Sequence, residues 1–255
     1  MPTILQLTDL HLLADPAGTL KGKRVRETTE RLMQDVRTQI GSGSLQVDRI
    51  VLSGDLAHDE LCETYLLLRD LLGELLPHCL LLPGNHDSRP FMREVFPELF
   101  EPEDAFLCFS VSAGAWRLIG LDSHIPGEVC GEISRPQLDW LMDELRAHAQ
   151  QPTVLFLHHP PFEVGSAWVD SIGLVNSHEL MQSVSDATQL KAICAGHVHH
   201  EFAAQSNGMT LLTSPSASLQ FVPACDDLAL DTRPPGYRLL HLDKQFDSEV
   251  VRLEV

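Results

Sequence analysis

Five short polar clusters combine carboxylate, amide and imidazole side chains, and each follows directly on a short apolar run. Oxygen and nitrogen donors in this mixture suit manganese, iron or zinc better than magnesium or calcium, which prefer oxygen alone. The clusters therefore predict a site for divalent transition metals. They are Asp9-Leu10-His11, Gly54-Asp55-Leu56-Ala57-His58, Gly84-Asn85-His86-Asp87, His158-His159-Pro160-Pro161 and Gly196-His197-Val198-His199.

The donor types predict two adjacent metals. Asp9 and His11 are two residues apart, so in an extended segment they point the same way. Asp55 ends a second strand, and a carboxylate is the natural bridge between two cations because its charge offsets their mutual repulsion. Asn85 adds a neutral oxygen. Two metals ~3.5–4 Å apart can acidify a bridging water and hold the oxygens of a displacement at phosphorus. Phosphoester hydrolysis is thus the predicted chemistry. The remaining donors are the imidazoles of His158, His197 and His199.

The apolar runs predict the elements that position these donors. A run that ends in ligands indicates a buried strand that delivers its last residues to a crevice at the carboxyl edge of a sheet. Strand and helix signals alternate as far as the last cluster. We predict strands at 4–7, 49–53, 80–82, 106–111, 116–121, 153–157 and 191–195, and helices at 25–40, 60–76, 137–147 and 177–184.

The pattern after the last cluster is β-rich. Asn207-Gly208 predicts a hairpin between strands at 201–206 and 209–213, and two more strands are predicted at 237–242 and 249–255. The segment 226–235 predicts a loop. The expected fold is α/β, with two packed mixed sheets flanked by helices in a four-layer αββα sandwich. Because one site needs all the clusters, we predict a single domain over 1–255 with a β-rich portion from about 201 onward.

Composition narrows the choice of partners. The chain has 18 Lys and Arg against 36 Asp and Glu, a net charge of −18. Nucleic acid polymers and anionic membranes gain affinity from clustered basic residues, so neither is expected as a partner. The six cysteines form no Cys-x-x-Cys pair, and no apolar segment approaches the ~20 residues of a membrane span. These features predict a cytoplasmic protein with free thiols.

The five clusters resemble the Asp-x-His, Gly-Asp-x-x-His, Gly-Asn-His-Asp, His-x-Pro and Gly-His-x-His blocks of the calcineurin-like metallophosphoesterases, in the order of that family. His158 matches the His-x-Pro ligand, which implies that His159 is a neighbouring or supporting group. Iron and manganese are the expected ions, with zinc as an alternative. The resemblance implies one metal held by Asp9, His11, Asp55 and His199, and a second held by Asp55, Asn85, His158 and His197.

The chain is further similar to bacterial class III cyclic nucleotide phosphodiesterases, the cyclic AMP enzymes. That similarity includes residues 6–12, the Leu121-Asp122-Ser123 segment with Gly127 and Gly131, and the stretch 220–238. It implies that a metal-bridging hydroxide attacks 3′,5′-cyclic AMP and gives 5′-AMP. Asp55 and His86 are then the catalytic residues, with His86 contacting the phosphate or protonating the leaving oxygen and Asp87 orienting its ring. The implied substrate contacts are His11, Asp55, Asn85, His86, His158 and His199.

Other interpretations stay open at this stage. The metal blocks equally suit an enzyme for glycerophosphodiesters, 2′,3′-cyclic nucleotides or phosphomonoesters, and a non-catalytic scaffold is a further alternative. His58 either orients a ligand or starts the next helix, while His124 and His200 either line the pocket or pack elsewhere. Five aromatic residues could stack on a base, namely Trp116, Trp140, Phe162, Trp168 and Phe221, with core burial the default for Trp116 and Trp140. The resemblance leaves open whether the protein forms a homodimer or a larger assembly.

Overall fold

Two mixed β-sheets pack face to face in the computed structural model, which describes residues 2–254. The first sheet has five strands: β1 (Thr3–Leu7), β2 (Arg49–Ser53), β3 (Cys79–Leu82), β12 (Gly236–Leu242) and β13 (Phe246–Arg252). Their order is β13-β12-β1-β2-β3. β1, β2 and β3 run parallel, whereas β12 is antiparallel to both β1 and β13. The earliest and the latest strands of the chain are therefore neighbours.

The second sheet has six strands in the order β4-β5-β6-β7-β9-β8. β5, β6, β7 and β9 are parallel, and the antiparallel strands β4 and β8 lie at the two edges. The predicted hairpin at Asn207-Gly208 joins β8 to β9. The six strands are β4 (Phe109–Ala113), β5 (Trp116–Gly120), β6 (Thr153–Phe156), β7 (Leu190–Ala195), β8 (Phe202–Ser206) and β9 (Met209–Thr213).

Three apolar cores separate four layers. Ile4, Val51 and Leu240 of the first sheet meet Val154 and Phe156 of the second in the middle core. A second core packs α1, α2 and α3 on the outside of the first sheet, and a third packs α4 and α6 on the second sheet. This arrangement confirms the αββα sandwich. The helices are α1 (Val25–Ser42), α2 (Cys62–Leu72), α3 (Arg89–Val95), α4 (Arg135–Ala147), α5 (Ala167–Asp170) and α6 (Ser177–Ser183).

Several predicted bounds differ from the structure. The helix predicted over 60–76 ends at Leu72, because Gly73 takes a left-handed φ of 49°, and a 3₁₀ turn over Gly73–His78 holds Pro77. α3, α5 and the two-residue strands β10 (Gln220–Phe221) and β11 (Leu230–Asp231) carry no periodic signal. β11 lies inside the predicted loop. The last residue of the strand predicted over 249–255 lies outside the described residues. Within 2–254, none of the helices combines the length and hydropathy that crossing a membrane requires.

Candidate metal centre

The predicted donors meet at the carboxyl edge shared by the two sheets. Asp9, Asp55 and Asn85 follow β1, β2 and β3 of the first sheet, whereas His158 follows β6 and His197 follows β7 of the second. Asp9 and His158 are fully buried, and Asp55 is 2% exposed. Parallel strands from each sheet therefore bring together side chains from distant parts of the sequence.

One group of donors surrounds the Nε2 atoms of His11 and His199, which lie 3.0 Å apart. The Nε2 atom of His199 is 3.3 Å from the Oδ1 atom of Asp9, and that of His11 is 3.4 Å from the Oδ2 atom of Asp55. Donor atoms at these separations are spaced like ligands around one ion with bonds of ~2.1 Å. The four side chains predicted for one metal thus form one compact group.

A second group shares Asp55. The Nε2 atom of His158 lies 3.4 Å from its Oδ1 atom, and the Nδ1 atom of His197 lies 3.1 Å from the Oδ1 atom of Asn85. The two carboxylate oxygens of Asp55 therefore face different groups, as a bridging ligand requires. The Nε2 atoms of His158 and His197 are buried and have no hydrogen-bond partner among the described residues. Buried polar atoms are normally satisfied, so an ion held by this group would account for the free nitrogen of His158.

The outer ring nitrogens of three histidines are held by the protein. The Nδ1–H of His158 donates to the carbonyl oxygen of Ser53 at 2.9 Å, and that of His199 donates to the carbonyl oxygen of Leu219 at 2.9 Å. The Nδ1 atom of His11 contacts the Nδ1 atom of His58 at 3.2 Å. Such contacts fix the tautomer and the ring orientation of metal-binding histidines. His58 thus supports His11, one of the two roles considered for it.

The surroundings favour the deprotonated forms of Asp9, His11 and His197. Burial alone raises the pKa of Asp9, but His199 and His158 together lower it to about 2. Burial and the charge of His158 lower the pKa of His197 to about 3. Burial holds the pKa of His11 well below its usual value. For His158, by contrast, the carboxylates of Asp55 and Asp9 outweigh the effect of burial and raise the pKa to about 9. Ionised carboxylates and neutral imidazoles are the forms that bind metal ions.

The backbone at the donors adopts an uncommon conformation. Asp9, His11, Asp55, His197 and His199 all have φ between 45° and 70°, in the left-handed region that non-glycine residues rarely occupy. Residues in such conformations persist where surrounding contacts hold them, and they concentrate at functional sites. The expectation of an extended segment from Asp9 to His11 is therefore wrong. The sequence pattern did not predict this backbone, although Asp and His adopt it more often than most non-glycine residues.

Contacts around the donors hold this backbone in place. The hydroxyls of Ser216 and Ser218 both donate to the carbonyl oxygen of Asp9 at 2.8 Å. Gly84 allows the closest approach, because a Cβ atom there would lie 2.2 Å from the Oδ1 atom of Asp55. Neither serine belongs to a metal block. Their short spacing within 214–218 is the one sequence signal that could have marked this support.

His159 is buried but has no free nitrogen to offer. Its Nδ1 atom lies 2.8 Å from the hydroxyl of Ser123, and its Nε2–H donates to the carbonyl oxygen of Val129 at 3.1 Å. In a neutral imidazole these two contacts use the single N–H and the single lone pair. Although His159 lies beside His158 and His197, the structure therefore supports its assignment as a supporting group.

His86 and Asp87 play separate parts. His86 lines the open cavity over the donors, and its backbone N–H donates to Asp55 at 2.9 Å. The expectation that Asp87 orients the His86 ring is wrong. The buried carboxylate of Asp87 instead accepts hydrogen bonds from the Tyr65 hydroxyl and from the backbone N–H groups of Leu56, Ala57 and Gly84. Asp87 thus joins the loop that carries Asp55 to the loop that carries Asn85. Burial raises the pKa of Asp87 to about 7.

His124 and His200 are buried, but neither belongs to the cavity lining. His124 stands beside Asp122, whose carboxylate pairs with both Arg89 Nε at 2.6 Å and Arg89 Nη2 at 2.8 Å. The Leu121-Asp122-Ser123 segment therefore supports the site through Arg89 and His159 rather than through a metal contact. Of the two roles considered for His124 and His200, the structure favours packing.

Sequence comparison gives a family match over most of the chain. The calcineurin-like phosphoesterase family matches residues 2–201. The 3′,5′-cyclic adenosine monophosphate phosphodiesterase CpdA of Vibrio vulnificus is 34% identical over 254 residues, which cover 98% of this chain and 89% of the relative. CpdA of Escherichia coli K12 gives the same identity and coverage. A 3′,5′-cyclic-nucleotide phosphodiesterase of Nostoc is 35% identical over 94% of this chain and 87% of its own length.

Solved structures share the fold at low sequence identity. A dimetal phosphatase from Danio rerio superposes with a TM-score of 0.75 at 16% identity, covering 98% of this chain and 95% of that one. GAP50, described as the anchor in the inner membrane complex of Plasmodium, superposes with a TM-score of 0.65 at 12% identity, covering 98% and 84%. One fold can host unrelated functions, so the function has to be argued from the site.

Proposed function

Because the chain belongs to the calcineurin-like phosphoesterase family, we propose that the site described above makes it a metal-dependent phosphodiesterase that hydrolyses 3′,5′-cyclic AMP to 5′-AMP. The observation that carries this function is the position of Asp55 between two complete donor groups. The names of relatives that match 98% of the chain support cyclic AMP over the other phosphoesters. The complete donor set disfavours a non-catalytic scaffold.

We assign the two donor groups to two ions, and the mixed oxygen and nitrogen donors favour iron and manganese, with zinc as an alternative. When bound, such ions supply Lewis acidity, which acidifies water and offsets the charge of a phosphate. The protein's own contribution is to hold the donors rigidly. His11, His158 and His199 have their outer nitrogens fixed, and Asp87 joins the loops that carry Asp55 and Asn85.

His86 is our proposed contact to the substrate phosphate. Its side chain lines the cavity and lies beside His11, with ring centroids 5.1 Å apart. From there the imidazole can donate a hydrogen bond to a non-bridging oxygen or a proton to the leaving 3′ oxygen. The remaining substrate contacts are proposed from the donors that line or adjoin the same cavity, namely His11, Asp55, Asn85, His158 and His199.

Purified protein incubated with Mn²⁺ or Fe²⁺ and cyclic AMP is expected to release 5′-AMP, which chromatography would detect directly. The same preparation should be compared on 2′,3′-cyclic AMP, a glycerophosphodiester and 5′-AMP by kcat/KM. If a phosphomonoester or a glycerophosphodiester were the better substrate by tenfold or more, the cyclic AMP assignment would be wrong. If neither metal yields 5′-AMP, the cyclic AMP assignment is likewise excluded.

His86→Ala should lower kcat on cyclic AMP by roughly 10²–10⁴-fold, the range that a positioned acid or base contributes. Metal content, measured by elemental analysis, should stay at the wild-type value, because the side chain is not assigned to either donor group. His78→Ala is the matched control, since that histidine is exposed and lies in the 3₁₀ turn far from the donors. Loss of metal from His86→Ala would show that His86 is a ligand instead.

Other properties follow as proposals. Both sheets supply donors, and the β-rich portion from about 201 contributes strands to each, which supports a single domain. We propose a cytoplasmic enzyme whose partner is a small cyclic nucleotide. Nucleic acid polymers and anionic membranes are not proposed as partners, because a net charge of −18 opposes their binding. Sedimentation would decide between a monomer and a homodimer.

A further inference from the structure

The cavity over the metal centre, about 360 Å³ in volume, has two chemically different sides. One side carries five of the seven donors together with His58 and His86. The other side is lined by aliphatic and aromatic side chains and forms an apolar wall. Its side chains include Leu20, Val129, Trp168, Ile172, Phe221 and Leu228. A hydrolytic site for small phosphoesters needs only the polar side, so the apolar wall requires its own explanation.

Aromatic rings connect the metal centre to this wall. The ring of Phe221 stacks on the ring of His199 with a centroid distance of 4.2 Å and an interplanar angle of 14°. The indole of Trp168 meets Phe221 edge to face at 5.1 Å. A group attached to a phosphate at the donors therefore encounters aromatic surface directly. Planar aromatic groups gain affinity by stacking on such surfaces.

Some side chains of the apolar wall pack against neighbouring apolar cores, whereas others are exposed to solvent. Trp168 and Leu20 pack against a small core that contains Phe221, and Trp168 also packs against a second small core with Val169. At the rim, by contrast, Val129 is 51% exposed and Leu228 is 42% exposed, two of the few large apolar side chains so exposed among the described residues. Exposed apolar surface that adjoins a polar site is typical of a ligand-binding groove.

The wall has few groups that could read the edge of a base. Trp168 is its one side chain with a hydrogen-bonding group, and the indole N–H is buried from solvent. Among residues 2–254, Lys21 is the one Lys or Arg side chain that lines the cavity. A site built to hydrogen-bond a particular substrate group rejects analogues by 10⁴–10⁵. This wall offers stacking and shape in place of such contacts.

We propose that Trp168, Phe221 and Leu228 form a subsite that binds the nucleobase of the substrate by apolar stacking. The inference rests on the proposed function, which puts a cyclic nucleotide at the metal centre, and it goes further in two ways. The subsite selects nucleotides over phosphodiesters that have no planar group. It also makes the enzyme tolerant of the base, so kcat/KM for cyclic AMP and cyclic GMP should agree within about tenfold.

Fluorescence tests the contact without catalysis. Trp116 and Trp140 lie outside this cavity lining, so a nucleotide stacked here alters the emission of Trp168 selectively. In metal-loaded protein, 5′-AMP should quench the emission, whereas inorganic phosphate should leave it unchanged. Trp168→Phe should lose the quenching, and Trp140→Phe, the control, should keep it. Equal quenching in wild type and Trp168→Phe would overturn the proposal.

Kinetics test whether the subsite selects the base. Trp168→Ala should raise KM for cyclic AMP at least about tenfold and leave KM unchanged for the 3′,5′-cyclic phosphate of 1-deoxyribose, which has no base. Trp168→Phe should restore most of the affinity. If Trp168→Ala folds poorly, Leu228→Ser provides a second test, because it changes a half-exposed position. It should also raise KM for cyclic AMP. Equal losses on both substrates would refute the subsite.

The outcomes separate the two proposals. If the wild-type protein hydrolyses no cyclic nucleotide, the proposed function fails. If it hydrolyses cyclic AMP but prefers it over cyclic GMP by more than about 10³-fold, the stacking subsite fails and the function stands. If 5′-AMP does not quench the Trp168 emission, and Leu228→Ser lowers the molecular mass measured by sedimentation, then a second copy of the chain covers the wall. That result would overturn the inference.

Discussion

Asp55→Ala is expected to abolish both metal binding and hydrolysis. Its two carboxylate oxygens lie 3.4 Å from His11 and 3.4 Å from His158, which belong to different donor groups. Removing the carboxylate therefore takes a ligand and a negative charge from both groups at once. We expect kcat/KM for cyclic AMP to fall on the order of 10³-fold or more, since the ions supply several kcal/mol of charge stabilisation. Elemental analysis should find fewer than one metal per chain.

Three comparison variants make this result specific. Asp55→Asn keeps the side-chain volume and an acceptor for the backbone N–H of His86. If this variant also loses metal and activity, the cause is the missing charge and not misfolding. Asn85→Ala removes a donor of one group alone and should retain about one metal. Asp186→Ala, at an exposed position, should match the wild type. If Asp55→Ala kept two metals, the bridging role would be wrong.

Removing the metals should cost both activity and stability. Chelation is expected to eliminate hydrolysis, and Mn²⁺ or Fe²⁺ should restore it, whereas Ca²⁺ should not, because calcium prefers oxygen donors alone. A ligand present at 100 times its dissociation constant stabilises the fold by about 2.7 kcal/mol. For a chain of this size that corresponds to a decrease in Tm of roughly 5–10 °C after chelation. Calorimetry with and without metal measures it.

Asn85→Ala provides the control for the stability effect. With one donor group weakened, chelation should lower the Tm of this variant by less than it lowers the Tm of the wild type. Full activity after dialysis has removed the metals, as checked by elemental analysis, would contradict a metal-dependent mechanism. An unchanged Tm together with lost activity would mean that the ions bind without stabilising the fold.

The strands and the donors were the most predictable part of this protein. Each apolar run before a cluster became a buried strand, because a strand packed between a sheet and a helix layer is apolar on both faces. The bounds of β2 agree with the sequence pattern. The donors meet because parallel strands end at one edge, a consequence of topology that short motifs already indicate.

The supporting contacts were far less predictable. Asp87 belongs to a recognisable block, yet its hydrogen bonds go to Tyr65 and to backbone N–H groups of the neighbouring loop rather than to His86. Ser216 and Ser218 reach Asp9 from positions 207 and 209 residues away. Contacts of this kind depend on how loops fold over the sheet edge, and periodicity contains no information about them.

The order of strands in the first sheet determines when the enzyme becomes complete during synthesis. β1 pairs on one side with β2, which follows soon after it, but on the other side with β12, so that Thr3 lies opposite His241, 238 residues later. At 5–20 residues per second, a ribosome takes roughly 10–50 s to cover that distance. During this interval one edge of β1 has no partner strand, and unpaired edges invite aggregation. The sheet that positions Asp9 is therefore completed only when β12 has been synthesised, after the last donor, His199.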